Sequence, residues 1–188
     1  MIYPIVAYGS PVLKKKAGIV DRDYPDLDLI IKNMFETMYH AHGVGLAAPQ
    51  VGLSIRLFII DATPFADEEP ALKGVKKVFM NAQMIEEEGK EWKFNEGCLS
   101  IPSVREDVER KPSITIRYQD ENFLEHEEKI SGILARVIQH EYDHIEGILF
   151  TDHLSPLRKT LLKGKLKDIS KGKVSVDYRM KFPMQRRF

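Results

Sequence analysis

The sequence predicts an α+β fold in which antiparallel β-sheets pack around a central helix carrying His-Glu-x-x-His. A helix near the N-terminus and a helix and tail at the C-terminus complete it. Three observations lead there. The helix expected from about Ser131 to Glu146 is apolar on more than one side (Ile133, Leu134, Val137, Ile138, Tyr142, Ile145), as a helix buried between sheets has to be. Alternating apolar runs separated by turn residues fill the middle of the chain, the pattern of strands and hairpins. No repeat or linker divides the 188 residues, and 43% apolar content is enough for one real core.

The elements follow in order. Residues 9–16 suggest a turn and a short helix, with Ser10 as cap and Pro11 at the first helical position. A helix is expected from about Pro25 to Ala41, because Leu27, Ile30, Ile31, Met34, Phe35 and Met38 recur at helical spacing. His40 and His42 lie at its end without ligand spacing. Gly43 to Gln50 reads as tight, irregular backbone whose one polar side chain is Gln50. Ile55 to Asp61 is a strand buried on both faces, and residues 64–77 are a surface loop. Val78 to Glu88 and Glu91 to Asn95 form two strands around Gly89. Asn95 to Pro102 is a turn-rich segment holding Cys98. Ser113 to Tyr118 and Phe123 to Ile130 form a hairpin-like pair, with His126 exposed among acidic neighbours. Ser131 can cap the long helix and Gly147 can end it. A last helix follows Ser155-Pro156 and fades near Gly172.

Composition excludes several classes. A single cysteine leaves no internal disulfide and suits a reducing compartment, so a cytoplasmic protein is expected. Met1-Ile2-Tyr3-Pro4 opens no secretory signal, and the apolar run Leu57 to Ile60 is far too short for a membrane span. Neither membrane nor DNA is an expected partner. Formal net charge is zero but unevenly spread. Residues 156–188 carry eleven Lys or Arg against Asp168 and Asp177, a net +9, which makes this tail a candidate contact for a polyanion such as ribosomal RNA.

The chemistry gathers at Gln139-His140-Glu141-Tyr142-Asp143-His144. Positions i and i+4 share a helical face, so His140 and His144 can point at one ion. Glu141, at the edge of that face, can reach a metal-bound water and take its proton without ligating the metal. A hydrolytic site of this kind takes three protein ligands and leaves a position for water. Cys98 is the strongest candidate for the third, as the lone thiol in a tight polar loop. His153 and the acidic residues are weaker alternatives.

Three stretches together resemble one family. Gly43 to Gln50 is similar to its Gly-φ-Gly-Leu-Ala-Ala-x-Gln motif, Glu96 to Ser100 to its Glu-Gly-Cys-Leu-Ser motif, and Gln139 to His144 to its Gln-His-Glu-x-Asp-His motif. The family is peptide deformylase, and the resemblance spans roughly residues 1–155. It implies a catalytic metallohydrolase domain over 1–155, with 156–188 a basic helix and tail of the same domain. It implies hydrolysis of the N-formyl group from the N-terminal methionine of nascent peptides, in which metal-bound water attacks the formyl carbon. By position, Cys98, His140 and His144 hold the metal, and Glu141 is general base and then acid. Gln50 and the backbone N–H of Leu99 bind the oxyanion. Val44, Phe94, Ile133 and Val137 line the pocket for the methionine side chain. Gly45 lets the peptide backbone pair closely, and Arg105 stands near the substrate mouth. Glu96 and Arg110 pair to support the Cys98 loop. The implied cofactor is one divalent ion, Fe2+ by family habit, with Zn2+, Ni2+ or Co2+ able to occupy the site.

Two other classes share part of this signature. A zincin-type endopeptidase takes its third ligand downstream, but Gly147 ends the helix and no His-x-x-Gly-x-x-His extension follows. A non-catalytic module with a structural metal would close the shell with four ligands, and the full set of ligands, base and oxyanion donors argues against it.

Overall fold

The computed structural model describes residues 1–183, so the last five positions of the basic tail lie outside the described residues. The chain runs through β1 (Ile5–Val6), a 3-10 turn at Pro11–Lys14, α1 (Leu27–His40), β2 (Gly45–Ala47) and β3 (Leu57–Asp61). It continues through β4 (Lys76–Glu88), β5 (Trp92–Cys98), β6 (Ile101–Arg110), β7 (Ser113–Gln119) and β8 (Glu125–Ser131). Then come α2 (Gly132–Glu146), α3 (Pro156–Ser170) and β9 (Met180–Lys181).

One five-stranded antiparallel sheet has the order β2-β3-β4-β7-β8. Alternation along β3 decides what covers it. Leu57 and Ile59 join the cluster of Ile31, Met34, Phe35 and Met38 on α1. Phe58 and Ile60 join Ala135, Val137, Ile138 and Ile145 on α2. The sheet is thus clothed by α1 on one face and α2 on the other. Phe58 and Phe79, opposite each other in register, stack at 4.7 Å, and Tyr118 packs on Phe79 at 4.3 Å. Neither α1 nor α2 has a side-chain hydrogen bond at its N-cap. Such a cap is worth about 1 kcal/mol. Each buried Leu, Ile or Phe contributes roughly 1.5–3 kcal/mol, so packing and not capping holds these helices.

The opposite face of α2 looks toward a second, two-stranded antiparallel sheet, β5-β6. Leu166 and Ile169 of α3 pack with Ile101, Val104 and Val108 of β6 in a third apolar cluster. The first and last strands, β1 and β9, pair in parallel. No helix among the described residues is long and apolar enough to cross a membrane.

Several expectations need correction. Gly45 to Ala47, read as irregular backbone, is an edge strand paired with β3, and the tight turn comes after it at Ala48–Val51. β4 and β5 are both strands but belong to different sheets: β4 pairs with β3 and β7, and β5 pairs with β6. The turn-rich reading of residues 95–102 holds only for Leu99 and Ser100, with strands on either side. β6 was not foreseen. Its inward positions alternate Val104, Glu106, Val108 and Arg110, so charged residues break the apolar pattern. His126 is half-buried, stacked on Tyr118 at 5.2 Å and bonded to Asp120 at 2.8 Å. The stretch 64–77 contains a 3-10 turn, Pro70–Leu72, and its last two residues already belong to β4.

Across the last three strands of the large sheet, Lys77 and the Tyr118 hydroxyl both donate to Glu128, at 2.6–2.7 Å. Burial pushes the Glu128 carboxyl up, but Lys77 and Tyr118 outweigh it and hold it below the usual carboxylate value. A depressed folded-state pKa contributes stability that is complete above the unfolded value and lost as pH falls through the folded one. Glu128→Gln should therefore lower stability by at most ~1 kcal/mol at pH 7, the group being partly solvated. The difference from wild type should close in acid, as urea midpoints near pH 7 and pH 3 would show.

Candidate metal centre

α2 starts at Gly132 (φ +69°) and stops at Gly147 (φ +76°), both in the left-handed region that glycine tolerates. Between them, Arg136, His140 and His144 recur every four residues along the face turned from the large sheet. The two imidazoles sit at 5.1 Å between ring centroids. Cys98 ends β5, where the chain turns through Leu99 and Ser100 into β6. Its Sγ lies 3.3 Å from His144 Nε2. Ligand atoms of Cys98, His140 and His144 all fall within 4.8 Å of one another.

Glu96, two residues before Cys98, accepts from His140 Nδ1 at 2.9 Å. That bond fixes the tautomer and leaves Nε2 for the cluster. The same carboxylate accepts from Arg110 at 2.8 and 3.1 Å and from Arg136 at 3.2 Å. Arg110 also donates to Asp143 at 2.7 Å, and His153 meets that Asp143 oxygen at 2.7 Å. His153 is thereby outside the ligand cluster. Burial pushes Glu96 up, yet His140 and Arg110 hold it far below the usual carboxylate range.

Glu141 projects from the same helix into the cleft, 4% exposed, and its Oε2 has no hydrogen-bond partner among the described residues. Burial lifts its carboxyl to about 7, against the pull of His140 and His144. A β-carbon on Gly45 would lie 2.7 Å from Glu141 Cγ, so the glycine makes room for this side chain. Gln50 is 2% exposed. Its Oε1 accepts from Ala47 N at 2.8 Å, and its Nε2 reaches Ser100 Oγ and Cys98 Sγ, each at 3.4 Å.

One thiol and two imidazoles at this spacing, beside an unpartnered buried carboxylate oxygen, fit a divalent ion of zinc or iron type. Burial raises the Cys98 thiol, but the charge of His144 and bonds from both imidazoles bring it down to about 5. The thiolate such an ion needs is therefore already favoured.

A cleft of about 620 Å³ opens above these groups. Val44, Gly45, Gln50, Phe94, Leu99, Arg105, Val137, His140 and Glu141 line it, as does the segment Ser175 to Tyr178. Arg105 lies along Gly97 and bonds Asn95 at 2.7 and 2.8 Å. Ile133, one turn earlier than Val137, is half-buried and packs against the cluster between α2 and the large sheet. Arg136 is a component that sequence reasoning missed. It is 2% exposed, donates to the Trp92 and Val108 carbonyls, and lies 4.7 Å from the Trp92 ring centroid. The signal was available: an arginine one turn before His140 on the face that carries both histidines.

Antiparallel sheets holding a Cys-His-His cluster against a buried carboxylate define a metallohydrolase. The family profile described as polypeptide deformylase matches residues 2–160. The chain is 63% identical to the peptide deformylase of Christiangramia forsetii over 190 residues, covering 97% of each. It is 60% identical to that of Flavobacterium johnsoniae over 189 residues, covering 97% of this chain and 96% of the relative. The crystal structure of the Thermus thermophilus enzyme superposes with a TM-score of 0.79 at 40% identity, over 90% of this chain and 98% of that one. A Legionella pneumophila peptide deformylase gives 0.79 at 36% identity, over 92% and 98%. The chain belongs to the polypeptide deformylase family. It is a metal-dependent hydrolase of protein biosynthesis that removes the N-formyl group from formylmethionine peptides.

Glu96→Gln keeps the shape of the hub but removes the charge that two buried guanidinium groups face. Loss of one partner from such a buried network costs about 3–5 kcal/mol. Metal affinity should fall about 10- to 100-fold as His140 loses its orienting carboxylate. Urea unfolding and chelator competition on the same protein read the two effects separately.

Proposed function

We propose that Cys98, His140 and His144 hold the ion, that Glu141 moves the proton, and that Gln50 with the Leu99 N–H receives the oxyanion. The observation that carries this reading is Glu141: a buried carboxylate with a free oxygen, beside three ligand atoms and poised near neutrality. A divalent ion bound there acidifies water and polarises the formyl oxygen. Glu141 takes a proton from the water that attacks the formyl carbon, then delivers it to the nitrogen as the C–N bond breaks. A general base whose pKa lies near the working pH can do both. The negative charge developing on the formyl oxygen meets donors that are already aimed. Gln50 is locked by its bond from Ala47 N, so its amide has little reorganising to do.

β2 is an edge strand, and its free side at Val44 and Gly45 suits an extended peptide that adds one more strand. Val44, Phe94 and Val137 offer the methionine side chain an apolar wall, and Arg105 stands at the mouth. Ile133, half-buried one turn before Val137, extends the same apolar side of α2. We assign Fe2+ as the working ion by family habit, with Zn2+, Ni2+ or Co2+ as substitutes that one thiolate and two imidazoles also accept. Residues 1–155 make the catalytic part, with α2 as its centre, and 156–188 are an appendage of the same domain. The cytoplasm, where translation supplies formylated chains, is its compartment. Glu141→Gln should lower kcat on formyl-Met-Ala-Ser by about 10²- to 10⁴-fold while metal content and melting temperature stay unchanged. Full activity in that variant would remove Glu141 from the mechanism.

The basic α3 and the tail beyond it support docking on ribosomal RNA near the emerging chain. Co-sedimentation with ribosomes should then weaken steeply between about 50 and 200 mM salt. It should vanish on truncation at Lys159, and indifference to both treatments would exclude the contact.

A further inference from the structure

After α3 the chain reverses at Gly172 (φ +77°), where a β-carbon would lie 3.2 Å from the Phe182 ring. It then returns as an extended strap. Val174, Val176, Tyr178, Met180 and Phe182 are half-buried, and the residues between them are exposed. The strap is tied down by Ile5 N to Arg179 O and Ala7 N to Lys181 O, both 2.9 Å. Val174, Met180 and Phe182 pack on the same apolar cluster as Cys98 and Ile101. This segment lies beyond the stretch matched by the family profile. Even so, its residues 175–178 form part of the cleft wall.

Its contact with the site is specific. The Tyr178 hydroxyl donates to the Leu99 carbonyl at 2.8 Å. The next carbonyl, that of Ser100, accepts from Tyr8 N, also at 2.8 Å. Tyr8 follows β1, the strand on which β9 rests. Both carbonyls of the two-residue turn after Cys98 are thus held by the paired ends of the chain. Orienting the Leu99 carbonyl restricts the rotation of its residue, and with it the direction of the Leu99 N–H.

We propose that Tyr178 is a positioning residue for deformylation: its hydroxyl fixes the Cys98–Leu99 turn so that the Leu99 N–H points at the reacting formyl oxygen. This rests on the reading of Leu99 as an oxyanion donor. Tyr178→Phe removes one hydrogen bond and leaves the ring in place. On formyl-Met-Ala-Ser, kcat should fall about five- to tenfold with KM nearly unchanged, because the lost interaction acts on the transition state. In the zinc-loaded enzyme, amide exchange at Leu99 should quicken while that of α2 does not. Met180→Ala thins the strap's packing without touching the hydroxyl, so it should lower the melting temperature and leave kcat and Leu99 exchange as they were. Unchanged Leu99 exchange in Tyr178→Phe would overturn the proposal at the tyrosine contact. Faster exchange with unchanged kcat would overturn it at the role of Leu99. An equal loss of kcat in Met180→Ala would reduce Tyr178 to ordinary packing.

Discussion

A buried carboxylate, Glu96, joins the two halves of the Cys-His-His cluster. It stands on β5 two residues before the thiol, and it bonds His140 and Arg136 on α2 and Arg110 on β6. Burying a charge in this gap would be prohibitive without such partners. With them, the helix bearing the two imidazoles and the strand bearing the thiol have one mutual register. Replacing the hub by apolar packing could leave the protein as stable, but nothing would then hold the His140 ring in its rotation and tautomer. The polar network is therefore best understood as a device for geometry and only secondarily for stability.

Glu141 shows the opposite use of burial. Its helix neighbours draw it toward the charged state, and the low-dielectric cleft pushes it back. Gly45 belongs to this balance. Any larger residue would drive into the Glu141 side chain, so the small residue on the edge strand keeps the carboxylate in place.

Much of this was legible from residues alone, and the exceptions have physical causes. α2 could be read because its apolar positions and its two histidines obey the same helical period. The β7-β8 pair could be read because Ile114, Ile116 and Tyr118 alternate cleanly. β6 could not, since Glu106 and Arg110 occupy inward positions where apolar residues are expected, and their partners lie far away in sequence. The separation of β4 from β5 was hidden because short-range pattern shows that strands exist but not which sheet each joins. Arg136 drew no attention, because its partners Glu96, Trp92 and Val108 lie far away in sequence. The strap was read only as part of a basic tail, although Val174, Val176, Tyr178, Met180 and Phe182 alternate as strand residues do.

The parallel pairing of β1 with β9 has a consequence in time. These strands lie far apart in sequence, so their union closes a very long loop. Contacts of such sequence separation form late, because loop entropy must be met before any bonding repays it. During synthesis β1 emerges long before β9, and must wait unpaired until β9 has been made. An enzyme that trims the beginnings of other proteins thus completes its own cleft wall only after the strap that follows α3 has been made.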